Sequence, residues 1–422
     1  MIKELVTDEA ILSQPCEPAT AEDAAVAQDL LDTLASLDEA ACLAANQIGV
    51  AKAVVVYHDE DEQPHVMYNP VLKQALGAYK TVEGCLTLEA ESKVTRYERV
   101  KVVYDDAQIE RFKPLIEDEM RKMVETWGRR EGNVYDDTVV AYGRAVLKWA
   151  GVPGSDVDLD PWAKRLGQIV EGFGHMPVGH TLAWVNRARC DKWAAGLIEK
   201  QRSGQINAPE GSALCEWARY RGTDGKLLDA KLAGIELQNS TRPAIAVSRF
   251  AAFAARFLVL YPQYREDIAR EVETSGTLVD NEHAIAFAQE VRRLSPFVPM
   301  LPAFAREDFE WEGHQIKEGQ RVIIDILGTN TDPNEWEEPL RFKPERFLGV
   351  EDAEAIKAFI PQGGGDVATG HRCPGEKVAV TELAATVSAL CQPGINIDPG
   401  DLDYDPTLMP TRPRSGGRVQ KD

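Results

Sequence analysis

Apolar and polar residues follow two different periods along the chain, and the change falls near Asp105. Before it, the apolar positions of 24–37 have the spacing of an amphipathic helix, whereas 53–57 and 99–104 are rich in β-branched residues. After residue 109 the apolar positions recur mostly with the helical period. The pattern therefore predicts a mixed α and β segment followed by a mainly helical region.

The helical region is predicted to contain one long element and several breaks. Helices are predicted at 112–127, 139–150, 161–172 and, as the longest, 228–260. Because proline lacks the backbone donor, we expect a kink at Arg242-Pro243. A strand pair with glycine turns is predicted within 309–327. The glycine-rich stretch 362–375 predicts a loop, with a helix starting near Glu376.

Length and charge limit the function. The chain of 422 residues can hold one large core or two to three domains. Its net charge of -21 argues against a nucleic-acid partner, because phosphate binding needs a basic face, and disfavours an anionic membrane surface. We expect no membrane span, since no apolar run approaches the roughly 20 residues required. Met1–Leu5 lacks the apolar core of a signal peptide, so a cytoplasmic location is expected.

The seven cysteines are scattered and form no CxxC pair. This pattern is typical of free thiols in a reducing compartment rather than of a disulfide framework. Most are expected to be buried and inert. Two, Cys85 and Cys373, lie in motifs that give them a candidate role.

Cys373 ends the glycine-rich loop, immediately before a predicted helix. A helix N-terminus offers free N–H groups and partial positive charge, which stabilise a thiolate and lower the pKa of the thiol. Glycines such as Gly375 let the backbone approach a flat macrocycle closely. His371 and Arg372 are near enough in sequence to reach propionate groups. The alternative is a chance cysteine in a flexible loop.

Two further motifs precede this loop. Glu290 and Arg293 lie three residues apart, so on a helix they can form an ion pair. Arg346 lies between Phe342 and Phe347. Each feature alone also occurs on ordinary surfaces. Their order along the chain, ion pair, then arginine segment, then cysteine loop, is the informative observation.

This ordered set resembles the cytochrome P450 superfamily. The resemblance implies haem b as the cofactor, Cys373 as the thiolate ligand of the iron, and a buried triad of Glu290, Arg293 and Arg346. A thiolate ligand pushes electron density to the iron and favours cleavage of the O–O bond. The implied fold is mainly α with minor β.

Within the superfamily, three segments resemble the bacterial fatty-acid peroxygenases. They are Arg242-Pro243 in the long helix, Gly328-Thr329-Asn330, and the unusually long loop from Pro361 to Glu376. The resemblance implies a fatty acid bound through its carboxylate to Arg242, hydrogen peroxide as co-substrate, and no obligatory redox partner. The products would be α- or β-hydroxy acids, or alkenes formed by oxidative decarboxylation. The alternative for Arg242 is a structural arginine bonded within the core.

The first segment resembles peptide deformylase in two motifs, Glu39–Val50 and Glu83–Thr87. In that family Gln47 would help bind an oxyanion, Leu86 would donate its backbone N–H, and Cys85 would ligate the metal. The third family motif, HExxH, which supplies two histidine ligands and a general base, is absent. Cys85 alone cannot build a catalytic metal site, so we expect a degenerate site and an inert thiol.

The chain is therefore interpreted as a chimera of two incomplete domains. Residues 1–106 form an α+β segment like a truncated peptide deformylase, and residues 107–422 form a cytochrome P450 haem domain that lacks its N-terminal part. The leading hypothesis is a peroxide-dependent fatty-acid oxidant. The rivals are a haem-binding protein without turnover and a deformylase-like, metal-dependent formyl hydrolase.

Overall fold

The structure is a computed structural model and is mainly α with minor β, 51% helical and 12% strand, which confirms the predicted fold class. It describes residues 1–12, 14–20, 23–37, 40–58, 64–83, 92–103, 107–172, 178–222, 225–350, 352–365 and 372–422. The chain divides into two compact units, residues 1–108 and the described residues from Ile109 onward. Domain boundaries of 1–106 and 107–422 stay a prediction.

The first unit combines short helices with antiparallel strands. Its elements are α1 (Glu9–Leu12), α2 (Ala24–Leu34), β1 (Cys42–Ala44), β2 (Val54–His58), β3 (Pro64–Tyr68), β4 (Val71–Glu83) and β5 (Ser92–Val103). The strands form one sheet of order β1-β2-β3 and a β4-β5 pair. Leu30 and Leu34 of α2 pack with Leu43, Val54 and Val56 in a small core. The helix and strands predicted from periodicity are confirmed.

The second unit is built mainly from helices. They are α3 (Ala107–Trp127), α4 (Val134–Trp149), α5 (Asp156–Glu171), α6 (Val178–Arg202), α7 (Ala213–Arg219), α8 (Ala230–Ala246), α9 (Ser248–Leu260), α10 (Tyr264–Ser275), α11 (Glu282–Leu294), α12 (Ile326–Asn330) and α13 (Glu376–Leu390). Side-chain caps fix several N-termini: Asn133 accepts from the Asp136 N–H (3.1 Å) and Asp229 from the Lys231 N–H (3.0 Å). The core lies around α9 and α13, where Phe253 is buried.

Short antiparallel strands complete this unit. They are β6 (Gly132–Asn133), β7 (Met300–Phe304), β8 (Phe309–Trp311), β9 (His314–Ile316), β10 (Arg321–Asp325), β11 (Ile395–Ile397) and β12 (Arg418–Lys421). The predicted strand pair is confirmed as β8-β9, while β10 pairs with β7. The turns at Gly313 and Gly319 both have φ of +77°, a conformation that favours glycine.

The long helix breaks at a different residue from the one predicted. Pro243 lies inside α8, and the interruption comes at Val247, between α8 and α9. There the Val247 N–H bonds the Ala244 carbonyl three residues back (3.0 Å) instead of the Pro243 carbonyl four back. The helix is therefore interrupted one turn after Arg242-Pro243, and the kink at the proline itself stays a prediction.

One segment has the length and composition that a membrane-crossing helix would need. Ala230–Leu260, which comprises α8 and α9, passes both criteria by length and composition. However, 67% of its apolar window is buried inside the protein, as in the core helix of a globular protein. Arg242, Arg249 and Arg256 lie within this segment, so it contains no uninterrupted apolar run of about 20 residues.

Candidate haem-thiolate site

The Cys373 loop leads directly into α13. The Cys373 N–H donates to the Gln362 carbonyl (2.9 Å), which closes the loop behind the sulfur. Burial raises the pKa of the Cys373 thiol, and the backbone N–H of Gly375, which hydrogen-bonds the sulfur, opposes that rise. A half-buried sulfur with an N–H donor at a helix start suits a thiolate ligand.

The donor set fits a porphyrin iron better than a bare metal ion. Within the described residues, no three His, Cys, Asp or Glu side chains are grouped to hold an ion. A bare zinc ion needs three or four protein ligands, whereas a porphyrin brings four nitrogens of its own and needs one axial ligand from the protein. Cys373 satisfies that single requirement.

The two residues before the cysteine are placed differently. His371 lies outside the described residues. Arg372 donates to the carbonyls of Glu354 and Phe359 (the latter 3.2 Å), and its Nε lies 3.0 Å from Glu376 Oε2. Its guanidinium is thus bound to the chain's own groups, and its role toward a propionate stays a prediction.

The structure brings Glu290, Arg293 and Arg346 together. The Arg293 Nε and Nη2 donate to the two Glu290 oxygens, each at 2.7 Å, and both side chains are fully buried. Arg346 Nε lies 3.5 Å from Glu290 Oε1. A bidentate pair of this kind is strong because two parallel charge-assisted bonds form. The structure thus places the three residues of the predicted triad in one ionic cluster, and the role of that cluster in the haem domain stays a prediction.

Other contacts tie this cluster to the neighbouring loops. Arg293 Nη1 donates to the carbonyls of Asn330 (2.8 Å) and Pro339 (2.7 Å). The Asn330 side chain in turn accepts from the Ile360 N–H at 2.8 Å. The Gly328–Asn330 motif thus links the triad to the start of the cysteine loop.

A second buried ionic cluster was not predicted from the sequence. Arg292, 1% exposed, bonds Gln289, Gln362 and Glu376, and Glu376 is 2% exposed. The only signal in the sequence is that Arg292 is adjacent to Arg293. Nothing in that adjacency indicates that the two guanidinium groups have different partners.

Arg242 lies on α8 with its side chain half-buried, and Pro243 beside it is exposed. The Arg242 Nη2 donates to Asn239 Oδ1 at 3.2 Å. Its Nη1 is buried and has no hydrogen-bond partner in the part of the chain that the structure describes. Burial lowers the pKa of Arg242, the charge of Arg187 lowers it further, and Asp191 opposes the change.

Helix α6 supplies polar residues beside Arg242 that sequence reasoning missed. Asp191 Oδ1 accepts from Arg187 Nε and from Gln238 Nε2, both at 2.9 Å. Gln238 is 1% exposed, and its Oε1 has no partner among the described groups. Two guanidinium groups and one carboxylate give this cluster a net charge of +1. The i, i+4 spacing of Arg187 and Asp191 is the one sequence signal that indicates it.

The deformylase-type residues are described only in part. Gln47 lies in a 3₁₀ turn, Ala45–Ile48, and its Oε1 accepts from the Ala44 N–H at 2.9 Å. Cys85 and Leu86 lie outside the described residues. Their assigned roles, and that of Gln47, stay predictions.

Two families match different parts of the chain. Residues 2–122 match the family described as polypeptide deformylase, and residues 284–392 match cytochrome P450. The second range contains Glu290, Arg293, Arg346 and Cys373. The first range extends into α3.

Curated proteins give the same division. A peptide deformylase of Clostridium beijerinckii is 40% identical over 116 residues, which are 27% of this chain and 85% of that protein. Putative cytochrome P450 137 of Mycobacterium tuberculosis is 24% identical over 347 residues, which are 74% of this chain and 67% of that protein. Tabersonine/lochnericine 19-hydroxylase of Catharanthus roseus is 34% identical over 156 residues, or 35% of this chain, and the chain spans only 30% of its length.

Solved structures resemble the helical region over more of its length. Cytochrome P450SP alpha in complex with (R)-ibuprophen is 34% identical, with a TM-score of 0.66 and 75% of each chain covered. A variant of cytochrome P450 OleT in complex with arachidonic acid is 30% identical, with a TM-score of 0.67 and 75% of this chain and 74% of that chain covered. Cytochrome P450EX alpha with myristic acid is 30% identical, with a TM-score of 0.61 and 74% and 76% covered.

The fold and the cysteine loop define a haem-thiolate class of protein. The chain belongs to the cytochrome P450 family through its helical region and to the polypeptide deformylase family through its N-terminal segment. Within the cytochrome P450 family it resembles the fatty-acid peroxygenase branch of P450SP alpha and OleT, which confirms the resemblance read from the sequence motifs, including the chimeric organisation.

Proposed function

We propose that the protein is a haem-thiolate peroxygenase that uses hydrogen peroxide to hydroxylate long-chain fatty acids at the α or β carbon, or to decarboxylate them. The observation that carries this proposal is the buried Nη1 of Arg242, left without a partner by the described residues. An unsatisfied guanidinium N–H beside an apolar core costs free energy unless a ligand accepts from it. A fatty-acid carboxylate is such an acceptor.

Charge supports a substrate with a single carboxylate. Arg187, Asp191 and Arg242 together carry a net charge of +1, and one carboxylate balances it. The Asn239 amide and the guanidinium plane of Arg242 then fix the orientation of the head group. The apolar tail of a long-chain fatty acid adds affinity by leaving water.

The residues present fit a haem b cofactor. Cys373 would hold its iron, the Gly375 N–H would donate to the sulfur, and His371 and Arg372 are proposed to contact the propionate groups. When bound, a thiolate-ligated haem supplies the electron density that favours cleavage of the peroxide O–O bond.

The substrate itself is proposed to handle the proton. The two hydroxyls that precede Arg242 on α8 are occupied: Thr241 Oγ1 donates to the Leu237 carbonyl (3.0 Å) and Ser240 Oγ to the Glu236 carbonyl (2.9 Å). We infer that the carboxylate held by Arg242 accepts and returns the peroxide proton as a general base and acid. Because peroxide brings its own oxidising equivalents, no electron-donor protein is expected.

The test is a spectrum combined with a turnover assay. The purified protein, reduced and exposed to carbon monoxide, should show the red-shifted band of a haem thiolate. It should then consume hydrogen peroxide only when a long-chain fatty acid is present, and form hydroxy acid or alkene. The methyl ester of the same acid is the matched control, because it cannot pair with Arg242.

Each alternative function has its own outcome. The band without substrate-dependent peroxide consumption would identify a haem-binding protein without turnover. Iron or zinc without porphyrin, together with release of formate from a formylated peptide, would identify a deformylase-like hydrolase.

A further inference from the structure

One guanidinium contacts both ends of the cysteine loop. Arg292 Nε donates to Gln362 Oε1 at 2.9 Å, where the loop begins, and Arg292 Nη2 donates to Glu376 Oε1, where α13 begins. Its third nitrogen, Nη1, donates to Gln289 on its own helix. The guanidinium also lies over the Phe359 ring, 5.3 Å from the centroid. All three nitrogens and one face are therefore engaged.

The two loop contacts are directly connected to Cys373. The Gln362 carbonyl accepts the Cys373 N–H, while the Gln362 amide is held by Arg292. Glu376 lies three residues after Cys373 and is the first residue of α13. Arg292 thus fixes the chain on both sides of the sulfur, across the segment 362–376.

This segment needs such a restraint. It contains Gly363 and Gly365 with φ of +93° and +80°, and glycine has the widest choice of backbone conformations. Closing a glycine-rich loop on a defined sulfur position costs conformational entropy. A buried arginine with several planar donors can hold two loop ends in one geometry, which a lysine cannot.

We infer that Arg292 is the positioning residue for Cys373: by bonding Gln362 and Glu376 it fixes the loop that carries the sulfur which would ligate the haem iron. This inference rests on the proposed function, since it takes Cys373 as the haem ligand. The hydrogen bonds of Arg292 go to Gln289, Gln362 and Glu376. It acts through the loop, and its charge also balances the buried Glu376 carboxylate near the thiolate.

The neighbouring Arg293 shows that this role is specific to Arg292. Arg293 bonds Glu290 and the carbonyls of Asn330 and Pro339, none of which belongs to the segment 362–376. Loss of the Arg293 contacts should therefore lower global stability, whereas loss of the Arg292 contacts to the loop should change the haem ligation itself.

The test compares two glutamines that bond the same arginine. Gln362→Leu removes the contact to the loop, and Gln289→Leu, the matched control, removes the contact within α11. For Gln362→Leu and Arg292→Lys we expect a folded, haem-loaded protein that loses haem about tenfold faster, the usual lower bound when a supporting partner of a metal ligand is removed. Its reduced carbon monoxide complex should move in part from the red-shifted band to the short-wavelength band of a haem without thiolate.

The outcomes separate a positioning role from a structural one. If Gln362→Leu and Gln289→Leu lower the unfolding midpoint alike and both keep the wild-type band and haem release rate, the inference is wrong. If the wild type itself shows no red-shifted band, the proposed function fails first, and the inference with it. Should Arg292→Lys not fold, the pair of glutamine variants still decides the question.

Discussion

Gln238 and Arg242 lie one turn apart on α8, and each has a buried polar atom, Oε1 and Nη1 respectively, that no described residue satisfies. The two atoms differ in character, since Oε1 accepts and Nη1 donates. On the same side chains, Gln238 Nε2 donates to Asp191 and Arg242 Nη2 donates to Asn239. Burial without a partner costs about 1–3 kcal/mol per group, and under the proposed function the bound ligand would offset that cost.

Replacing Arg242 should weaken fatty-acid binding more than it weakens haem binding. For Arg242→Gln we expect the dissociation constant of a long-chain fatty acid to rise about tenfold to a hundredfold, the worth of a hydrogen bond between charged groups. The dissociation constant of Arg242→Lys should lie between those of the wild type and Arg242→Gln, because lysine keeps the charge and loses the planar array of donors. Titration of the haem absorption spectrum with the fatty acid measures this.

The methyl ester provides the control for that experiment. Its affinity should be the same for wild type and Arg242→Gln, since it offers no carboxylate. An equal loss for acid and ester would show that Arg242 is a structural residue of the core, the alternative weighed from the sequence.

Removal of the neighbouring cation should have a smaller effect in the same direction. Arg187→Gln brings the net charge of the cluster from +1 to zero, so carboxylate affinity should fall. Because Arg187 is partly exposed, we expect a fall of only about twofold to fivefold, which should diminish in high salt. Spectral titration at two ionic strengths measures it.

Arg189→Gln is the matched control, because Arg189 is exposed on the same helix. An identical, salt-dependent loss in both variants would indicate a general field of the helix instead of a local cluster.

Motif spacing singled out the residues of the ionic cluster and the cysteine loop, but not the contacts that connect the two. Glu290, Arg293 and Cys373 stand at fixed positions in ordered motifs, so the triad and the loop were identified before any contact was known. Arg292 is the same residue type as Arg293 and is adjacent to it in the sequence. Only the packing of α11 against the loop directs one guanidinium to Gln362 and the other to the Asn330 carbonyl.

The helix break shows a similar limit. Proline chemistry predicts that the helix is disturbed, but the position of the interruption also depends on side-chain bonds within the helix. Thr241 and Ser248 bond backbone carbonyls of earlier turns (3.0 and 2.7 Å), and such bonds bend helices. The interruption lies at Val247 rather than at Pro243, a shift of one turn that periodicity cannot reveal.

Breaking the buried triad should destabilise the fold. For Glu290→Gln we expect a loss of about 3 kcal/mol in the free energy of unfolding, because Arg293 would remain buried with an incomplete set of partners. Urea unfolding followed by circular dichroism measures it. Glu266→Gln, which removes an exposed ion pair with Arg270, should change little. Equal effects would mean that the triad is no stronger than a surface pair.

Glu382 gives the protein a pH-dependent stability. Its side chain is fully buried on α13, neither carboxyl oxygen has a partner among the described residues, and burial raises its pKa well above the ordinary 4.5. The folded protein therefore keeps a proton that the unfolded chain releases above about pH 4.5. The stability is complete below that pH and falls as the pH rises toward the folded pKa, by about 1.4 kcal/mol per unit.

Glu382→Gln removes this titration and should flatten the curve. Urea midpoints of wild type and variant, measured between about pH 5 and pH 8, above the ordinary carboxyl pKa, should therefore diverge, with the variant increasingly the more stable. Glu273→Gln, at an exposed position of α10, should follow the wild type throughout. Parallel curves for wild type and Glu382→Gln would mean that the buried carboxyl is already ionised, which its surroundings, without a described partner for either oxygen, make costly.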